Sequence, residues 1–248
     1  VYEKGLKAVP TFGVIPCTAT FGTEPYSEQP LMPTKKIEGL RSDGTLHMDH
    51  KLVIHKPISK EGKLHLEKVI SAVYDRGEGK GAKINVDIIA KDEAGDPVFT
   101  NTMGYLNRWA GGFGGPKVPH STVVIPEREA DYEIKDAYPE NAPLLYRLTG
   151  DTYPLHADPA FAKKAGFDRP IVHGLCSLGY ACRMMIDALF PGEPERMVSI
   201  ENQFRAVALP GDHFTLHVWK TGENEALFRM VKDSDGKAIL DYGRMTWK

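Results

Sequence analysis

The sequence predicts an α+β fold in which antiparallel strands wrap around a buried helix. Three observations indicate this class. Short apolar or alternating runs recur in both halves of the chain, glycines separate them, and one long amphipathic segment lies in the second half. The 248 residues are enough for one large domain or two small ones with a hydrophobic core.

The strand-like segments form two groups. Those of the first half are 52–54, 64–70 and 84–89, and those of the second half are 198–200, 214–219, 227–231 and 239–242. The segments 91–99 and 232–240 resemble each other, because both place acidic residues and a glycine before a new apolar strand, as a β-hairpin requires. We interpret this likeness as a weak internal duplication, and chance similarity between two ordinary hairpins explains it equally well.

One predicted helix begins near His173 and Gly174 and ends at Pro191. Its apolar residues repeat at intervals of three and four, so that one stripe faces a core; they are Leu175, Leu178, Ala181, Cys182, Met185, Ile186 and Leu189. An antiparallel sheet curved around this helix would bury the stripe. The first half contains no helical pattern of similar length, so a duplicated first half would have a shortened or lost helix.

Two segments lack sustained periodicity. The segment 25–46 is rich in proline, glycine and serine and is expected to form a long surface loop. The segment 116–142 contains four prolines and mixed charges, which is typical of a linker or an overhanging segment. We therefore expect a first half at 1–115, a linker at 116–142 and a second half at 143–248.

The composition narrows the classes of partner. A formal net charge of -2 gives no indication of nucleic-acid or anionic-membrane binding, and no apolar run is long enough to span a bilayer. The three cysteines, Cys17, Cys176 and Cys182, form no CxxC pair. This usage indicates buried free thiols in a reducing compartment.

One loop carries the candidate chemistry. Gly150 and Pro154 bracket an irregular turn that can fold Asp151 and His156 together, although they are five positions apart. A carboxylate and an imidazole around one water can share the removal and delivery of its protons. Either residue alone is more often a turn residue or a buried histidine, but the pair in one loop favours catalysis. Asp158, which precedes a proline, predicts the N-cap of a short helix.

The start of the long helix offers a second candidate group. The backbone N–H of Gly174 would be unpaired there, at the positive end of the helix dipole, where it suits the oxygen of a thioester that gains enolate character. Glycine also lets a ligand approach the backbone closely. His173 is a candidate ligand contact, although a structural role beside the helix start is favoured. A metal site formed by His156, His173 and Asp158 is disfavoured because no dense ligand cluster supports it.

Two motifs, Gly-Asp-x-x-Pro-Leu-His ending at His156 and His-Gly-Leu-Cys beginning at His173, resemble the type 2 enoyl-CoA hydratase (MaoC-like dehydratase) family. The family includes the hydratase portion of the peroxisomal multifunctional enzyme of β-oxidation. The resemblance covers nearly the whole chain, from Gly5 through 108–115 to 203–205. It implies a double hot-dog fold, two helices each gripped by a curved antiparallel sheet. In that fold only the C-terminal half keeps the catalytic loop, and the degenerate first half makes room for bulky acyl chains.

The resemblance implies that Asp151 and His156 are the catalytic pair and that the N–H of Gly174 holds the thioester oxygen. It implies reversible hydration of a trans-2-enoyl thioester to the 3R alcohol, with no metal or redox cofactor. The chain departs from the family at Tyr153, where members have Asn. A phenol lacks the paired donor and acceptor of an amide, so it is expected to reshape the acyl pocket, favour a special substrate or lower activity. Family members also have additional residues before the region of Leu6.

A glycine-rich loop adds further substrate-binding candidates, namely Gly112, Phe113 and Gly114. The loop lacks the Lys-Ser/Thr pair and the following helix of a phosphate-binding loop. We predict a flap over the substrate in which Phe113 is an apolar plug. Arg108 is a candidate contact for the phosphates of CoA, and solvated surface charge is an equally good reading of it.

Three functions stay open. They are a 3R-specific enoyl-CoA hydratase of β-oxidation, a dehydratase of a specialised acyl thioester in a biosynthetic or sterol-side-chain pathway, and a catalytically silent acyl-CoA-binding subunit. Retention of Asp151 and His156 argues against the third, and Tyr153 keeps it open. The resemblance implies an acyl-CoA thioester as partner and a homodimer. With the cysteine usage it also implies a peroxisomal or cytoplasmic location, although the C-terminus is not a Ser-Lys-Leu address.

Overall fold

The computed structural model describes residues 5, 7–19 and 45–248. The predicted surface loop 25–46 lies outside these residues except for its last two, which already belong to the first strand. The strands are β1 (Thr45–Ile54), β2 (His65–Asp75), β3 (Ala82–Lys91), β4 (Pro97–Asn107), β5 (Tyr132–Ala137), β6 (Met197–Phe204), β7 (His213–Gly222), β8 (Glu225–Lys232) and β9 (Ala238–Trp247). The helices are α1 (Ile15–Ala19), α2 (Ala142–Tyr146), α3 (Pro159–Lys164) and α4 (Gly174–Leu189).

The strands form one antiparallel sheet in the order β2-β3-β4-β1-β6-β9-β8-β7-β5. We call the central pairing of β1 with β6, residues 49–53 against 199–203, the seam. Outward from the seam the order is β1-β4-β3-β2 on one side and β6-β9-β8-β7 on the other. The two similar hairpins connect β3 to β4 and β8 to β9, which are equivalent positions. The strand order therefore supports the internal duplication.

Two strands were not fully anticipated from the sequence. The apolar pattern of β4 is interrupted by Asn101 and Asn107, which are nevertheless fully buried, so only its first residues were recognised. The segment 116–142 is more than the predicted linker, because it contributes β5, which pairs with β7 at the sheet edge. Charged residues and alternating exposure are typical of an edge strand and hide its β pattern.

Helix α4 begins at the predicted Gly174 and buries the predicted stripe except for Leu189, which is half-buried. The helix packs against β6, β7 and β9 and joins both halves of the chain in one hydrophobic core. This core contains large side chains with almost no exposure, among them Phe99, Phe214 and Phe228. The sheet thus covers the apolar stripe of α4, as the amphipathic pattern requires.

The first half has a short counterpart of α4. A 3-10 segment, Pro10–Val14, leads into α1, and this helical stretch precedes β1 in the chain as α4 precedes β6. The stretch also packs against α4, and Thr11 forms a hydrogen bond with Cys182. Within the described residues the first-half helix is therefore shortened rather than lost.

The three cysteines are free and buried, as predicted. Burial raises the pKa of each thiol to about 12, so all three remain protonated near neutral pH. Among the described residues, no helix has the length and apolar character needed to cross a membrane.

Candidate active site

The loop between α2 and α3 is held in an irregular turn. Gly150 adopts a φ of 123°, a conformation that L side chains rarely adopt, and residues Pro154–His156 form a single 3-10 turn. The turn is anchored by Leu155, which is buried in a small apolar cluster with Ala162 and Ile171. This anchoring fixes the backbone on both sides of the two candidate catalytic side chains.

His156 has a defined ring orientation. Its Nδ1 donates a hydrogen bond to the carbonyl oxygen of Ile171 over 2.9 Å. The other nitrogen, Nε2, is then the unprotonated one and can accept a proton from water. Burial lowers the pKa of His156, and the negative charge of Asp151 together with the Ile171 carbonyl partly offsets that decrease. The ring is thus neutral near pH 7 and available as a base.

Asp151 lies in the same loop, directly after Gly150. Its Oδ1 accepts a hydrogen bond from the backbone N–H of Tyr153 at 3.3 Å. Its charge acts on His156 and also raises the pKa of Tyr146 and Tyr105 further than burial alone does. The predicted carboxylate and imidazole therefore share one electrostatic environment, bordered by buried phenols.

His173 connects the loop to the start of α4. Its ring stacks on that of His156, with centroids 3.6 Å apart and an interplanar angle of 24°, and its Nε2 donates to the backbone carbonyl of Asp151 at 3.3 Å. Burial and the neighbouring His156 lower the pKa of His173 to about 2. The neutral imidazole of His173 thus contacts both members of the pair, and its structural role stays a prediction.

Gly174 is the first residue of α4, and its N–H has no acceptor within the helix. The residue is half-exposed, so a ligand can reach its backbone. A Cβ at this position would lie 2.9 Å from two ring atoms of Phe204, closer than side chains approach one another. Glycine is therefore needed here for space as well as for access.

Tyr153, the departure from the family, is half-buried and packs edge-on. Its ring centroid lies 6.0 Å from that of His156 and 5.4 Å from that of Phe161. The phenol thus borders His156 on the side of the small apolar cluster. Asp158 accepts hydrogen bonds from the N–H groups of Ala160 and Phe161, which confirms it as the N-cap of α3.

The glycine-rich loop is anchored at the outer edge of the sheet. The N–H groups of Gly112 and Gly114 donate to the two carboxylate oxygens of Asp75, at 2.8 and 2.7 Å, and Asp75 ends β2. Phe113 and Arg108 are exposed. The described contacts therefore connect this loop to β2, whereas Asp151, Tyr153, His156 and His173 contact one another. The flap and the phosphate contact of Arg108 stay predictions.

Two neighbours of the site escaped the sequence reasoning. The ring of Tyr146 lies 4.7 Å from that of His173, and its hydroxyl is shielded from solvent with no hydrogen-bond partner in the described part of the chain. Phe204 lies against Gly174. Tyr146 belongs to the same motif as Asp151, five positions earlier, which is a usable signal. Phe204 reaches Gly174 only through the sheet, so the sequence gives no signal for it.

Comparison with known proteins places the chain in a family. Residues 121–240 match the family described as MaoC like domain, and residues 1–108 match the MFE-2 hydratase 2 N-terminal domain. A probable enoyl-CoA hydratase 2 of Dictyostelium discoideum is 33% identical, with 98% of this chain and 82% of that protein covered. The chain belongs to the family of type 2 hydratases and MaoC-like dehydratases. This confirms the resemblance and makes the chain a hydro-lyase.

Further comparisons agree. Enoyl-CoA hydratase ChsH3 of Mycobacterium tuberculosis is 31% identical, with 94% of this chain and 79% of that protein covered. The crystal structure of a MaoC-like dehydratase from Phytophthora capsici superimposes with a TM-score of 0.84 at 29% identity, covering 98% of this chain and 83% of that one. A Mycobacterium tuberculosis protein with a double hotdog fold matches at a TM-score of 0.56 and 15% identity, covering 99% and 83%. These matches confirm the predicted double hot-dog fold.

Proposed function

We propose that this hydro-lyase reversibly hydrates trans-2-enoyl-CoA to (3R)-3-hydroxyacyl-CoA. The observation that carries the proposal is the geometry of the loop that ends at His156. The hydrogen bond from Nδ1 to the carbonyl of Ile171 leaves Nε2 as a proton acceptor beside Asp151. The start of α4, with the accessible N–H of Gly174, is joined to this loop through His173.

In the hydration direction, the thioester carbonyl oxygen accepts the N–H of Gly174, which makes C3 electrophilic. A water held by Asp151 and His156 attacks C3, and one of its protons passes to the pair. The electrons of the double bond move toward C2 and the thioester oxygen, and C2 then receives a proton. We do not divide the acid and base roles between Asp151 and His156, because the protons of a coupled pair belong to both groups.

The direct test is hydration of a series of trans-2-enoyl-CoA substrates, followed by the loss of conjugated absorbance and by chiral analysis of the product. Asp151→Asn and His156→Gln are expected to reduce kcat by at least about 100-fold while binding persists. Asp187→Asn, an exposed carboxylate on α4, is the matched control and keeps wild-type turnover. A 3S product would overturn the stereochemical claim, and active Asp151 and His156 variants would overturn the mechanism.

A second candidate is dehydration of a specialised acyl thioester, which Tyr153 favours because its phenol stands beside the catalytic imidazole. A relative named 3-hydroxyacyl-thioester dehydratase Y, from Mycobacterium tuberculosis, is 33% identical over 97% of this chain. Comparing kcat/KM for hydration and for dehydration across acyl chains separates the two candidates. Acyl-CoA binding without turnover in either direction would favour a third, the catalytically silent subunit.

We also infer a homodimer, which the family resemblance implies and light scattering of the purified chain tests. A peroxisomal or cytoplasmic location is part of the same proposal. It is supported by relatives named peroxisomal in Mus musculus and Arabidopsis thaliana. Fractionation of the source cells decides between the two compartments.

A further inference from the structure

A buried polar cluster at the seam has no part in the chemistry above. We define the seam cluster as His47, His50 and Asn202. His50 and Asn202 face each other across β1 and β6 and are 1% and 3% exposed, and the ring of His47 lies 5.4 Å from that of His50. Within the described residues, His47 Nε2, His50 Nδ1 and both polar atoms of Asn202 are shielded from solvent and have no hydrogen-bond partner. Buried polar atoms nearly always have partners, so these four atoms are suited to pair with a polar group of a ligand.

The hydrogen bonds around the cluster fix which atoms donate. The amide nitrogen of Asn101 donates to the carbonyl of Gly13 at 3.0 Å, so its Oδ1 is the atom that accepts from Nε2 of His50 at 2.9 Å. Nδ1 of His50 is then an unprotonated acceptor. The ring of His47 is hydrogen-bonded to the backbone of Asp49, which leaves its Nε2 as a second acceptor.

This arrangement selects one chemical class of ligand. The two imidazole nitrogens each need a donor, whereas the amide of Asn202 offers both a donor and an acceptor. A hydroxyl group can donate to an imidazole nitrogen and accept from the amide. A carbonyl group has no proton to donate, so it would leave both imidazole nitrogens unpaired. A carboxylate would bring its negative charge against the lone pairs of these nitrogens, which is repulsive. Burial lowers the pKa of His50 to about 4, so this imidazole stays neutral near pH 7 and supplies no positive charge for an anion.

The cluster lies next to the candidate active site. Asn202 and Phe204 are two positions apart on β6, which places them on one face of the strand. The ring of Phe204 lies 4.8 Å from that of His47 and directly against Gly174. His47 and Phe204 are half-buried, so the cluster borders accessible space. Beyond it along the seam, Leu52 pairs with Ile200 in the apolar core.

We propose that the seam cluster binds a hydroxyl group carried by the acyl chain of the substrate. This inference rests on the proposed function, because the chain must start with its thioester oxygen at Gly174. Asn202 and Phe204 lie two positions apart on β6, a distance of roughly 7 Å, which an extended acyl chain covers in about six bonds. The hydroxyl is therefore expected several carbons beyond the double bond. The preferred substrate is an oxygenated, rather than a plain, acyl-CoA.

The test uses trans-2-enoyl-CoA thioesters of one chain length that carry a single hydroxyl at successive carbons from C6 to C12, with the unsubstituted chain as reference. At one position, wild-type kcat/KM is expected to exceed that of the reference by about tenfold, the effect of one hydrogen bond to a buried group. In Asn202→Leu, a change of similar volume, this preference is lost while hydration of the reference chain stays within about threefold of wild type. Ser199→Ala, whose hydroxyl pairs with that of Thr246, is the matched control and keeps the preference.

The outcomes distinguish a failure of the proposed hydration from a failure of the proposed hydroxyl binding. If the reference chain is not hydrated, the proposed function fails. If it is hydrated but no hydroxylated chain is preferred, the seam cluster holds only an ordered water and the inference is overturned. A preference that survives in Asn202→Leu overturns it as well. Should Asn202→Leu not fold, the positional profile of the wild type decides by itself.

Discussion

Three neighbouring rings beside the loop, those of Tyr146, His173 and His156, keep the imidazole of His156 buried and in a fixed orientation. Tyr146 packs on His173, and His173 stacks on His156. His173 stays neutral because burial and the adjacent imidazole both disfavour a second positive charge. It therefore fixes the plane of His156 and the backbone of Asp151 without exchanging protons itself. We regard it as a positioning residue.

The pH dependence of hydration follows from His156. The proposed water must be held by an unprotonated imidazole, and burial places the pKa of His156 below the ordinary 6.5. Activity is therefore retained at pH 6.5 and lost as the pH falls through that lowered pKa, so the acid limb of kcat/KM is expected below pH 6.5. In Asp151→Asn the pKa of His156 is expected to decrease further, because the raising charge is gone. NMR titration of the imidazole measures this, and an increase would contradict the assigned pairing.

The Tyr153→Asn variant tests how the tyrosine at this position affects activity and stability. Replacing it by the family residue, Tyr153→Asn, removes a ring that packs edge-on against His156 and Phe161. We expect higher kcat/KM on simple unbranched enoyl-CoA chains and a lower melting temperature, since part of the small apolar cluster is lost. Tyr153→Phe keeps the ring and serves as the control. An unchanged chain-length profile in Tyr153→Asn would show that the phenol does not shape the pocket.

At the scale of the element, helix α4 packs in the core and begins at the proposed oxygen-binding N–H of Gly174. Its two glycines, Gly174 and Gly179, differ in the space around them. A methyl group on Gly174 would lie 2.9 Å from the Phe204 ring, whereas one on Gly179 would meet nothing within 4 Å. Gly179→Ala is expected to be neutral or to stabilise the helix by up to about 1 kcal/mol. Gly174→Ala is expected to fold, because a side-chain ring can move, but to lose at least about tenfold in kcat.

The double variant Gly174→Ala with Phe204→Ala separates crowding from chemistry. It removes the ring atoms that the new methyl group would meet, so the contribution of crowding to the lower kcat disappears. If kcat stays low in the double variant relative to Phe204→Ala alone, the methyl group obstructs the oxygen that Gly174 holds. Full recovery of kcat would show that Gly174 has only a packing role.

Elements could be predicted from the sequence when the residues that determine them lie within one segment of the chain. Helix α4 and most strands could be predicted because an apolar periodicity within one segment determines which face is buried. Likewise Asp151 and His156 lie in one short loop. In contrast, β5 is an amphipathic edge strand, and Asn101 is buried only because His50 and Gly13 supply its hydrogen bonds. Contacts made across the sheet leave no pattern in the sequence, which is why sequence patterns do not identify the seam cluster.

At the scale of the whole molecule, the strands of the first half and those of the second half meet side by side at the seam. The first half supplies His47, His50 and the shortened helix, and the second half supplies the loop and α4. The two halves share one hydrophobic core, so neither buries its apolar face alone. Burying a polar group at such a junction costs free energy unless the group is paired, and burying a charged imidazole costs more. The stability of the folded chain is therefore expected to depend on pH.

Four histidines with lowered pKa values determine the sign of that dependence. Burial lowers the pKa of His50 to about 4 and that of His173 to about 2, and it also lowers the pKa values of His47 and His156 below 6.5. Below pH 6.5 the unfolded chain binds protons that the folded chain does not, so the stability is full above pH 6.5 and decreases as the pH falls. Each histidine contributes about 1.4 kcal/mol per pH unit in that window.

The melting temperature is therefore expected to fall by several degrees between pH 7.5 and 5.5, as calorimetry of the wild type would record. His50→Gln retains an amide donor near Asn101 but cannot be protonated, so the fall of its melting temperature is expected to be smaller than that of the wild type by roughly a quarter to a third. His65→Gln changes an exposed histidine of β2 and serves as the control. Its melting temperature is expected to fall by as much as that of the wild type. A wild-type melting temperature that stays constant or rises toward pH 5.5 would contradict the burial of neutral imidazoles at the seam and beside the catalytic loop.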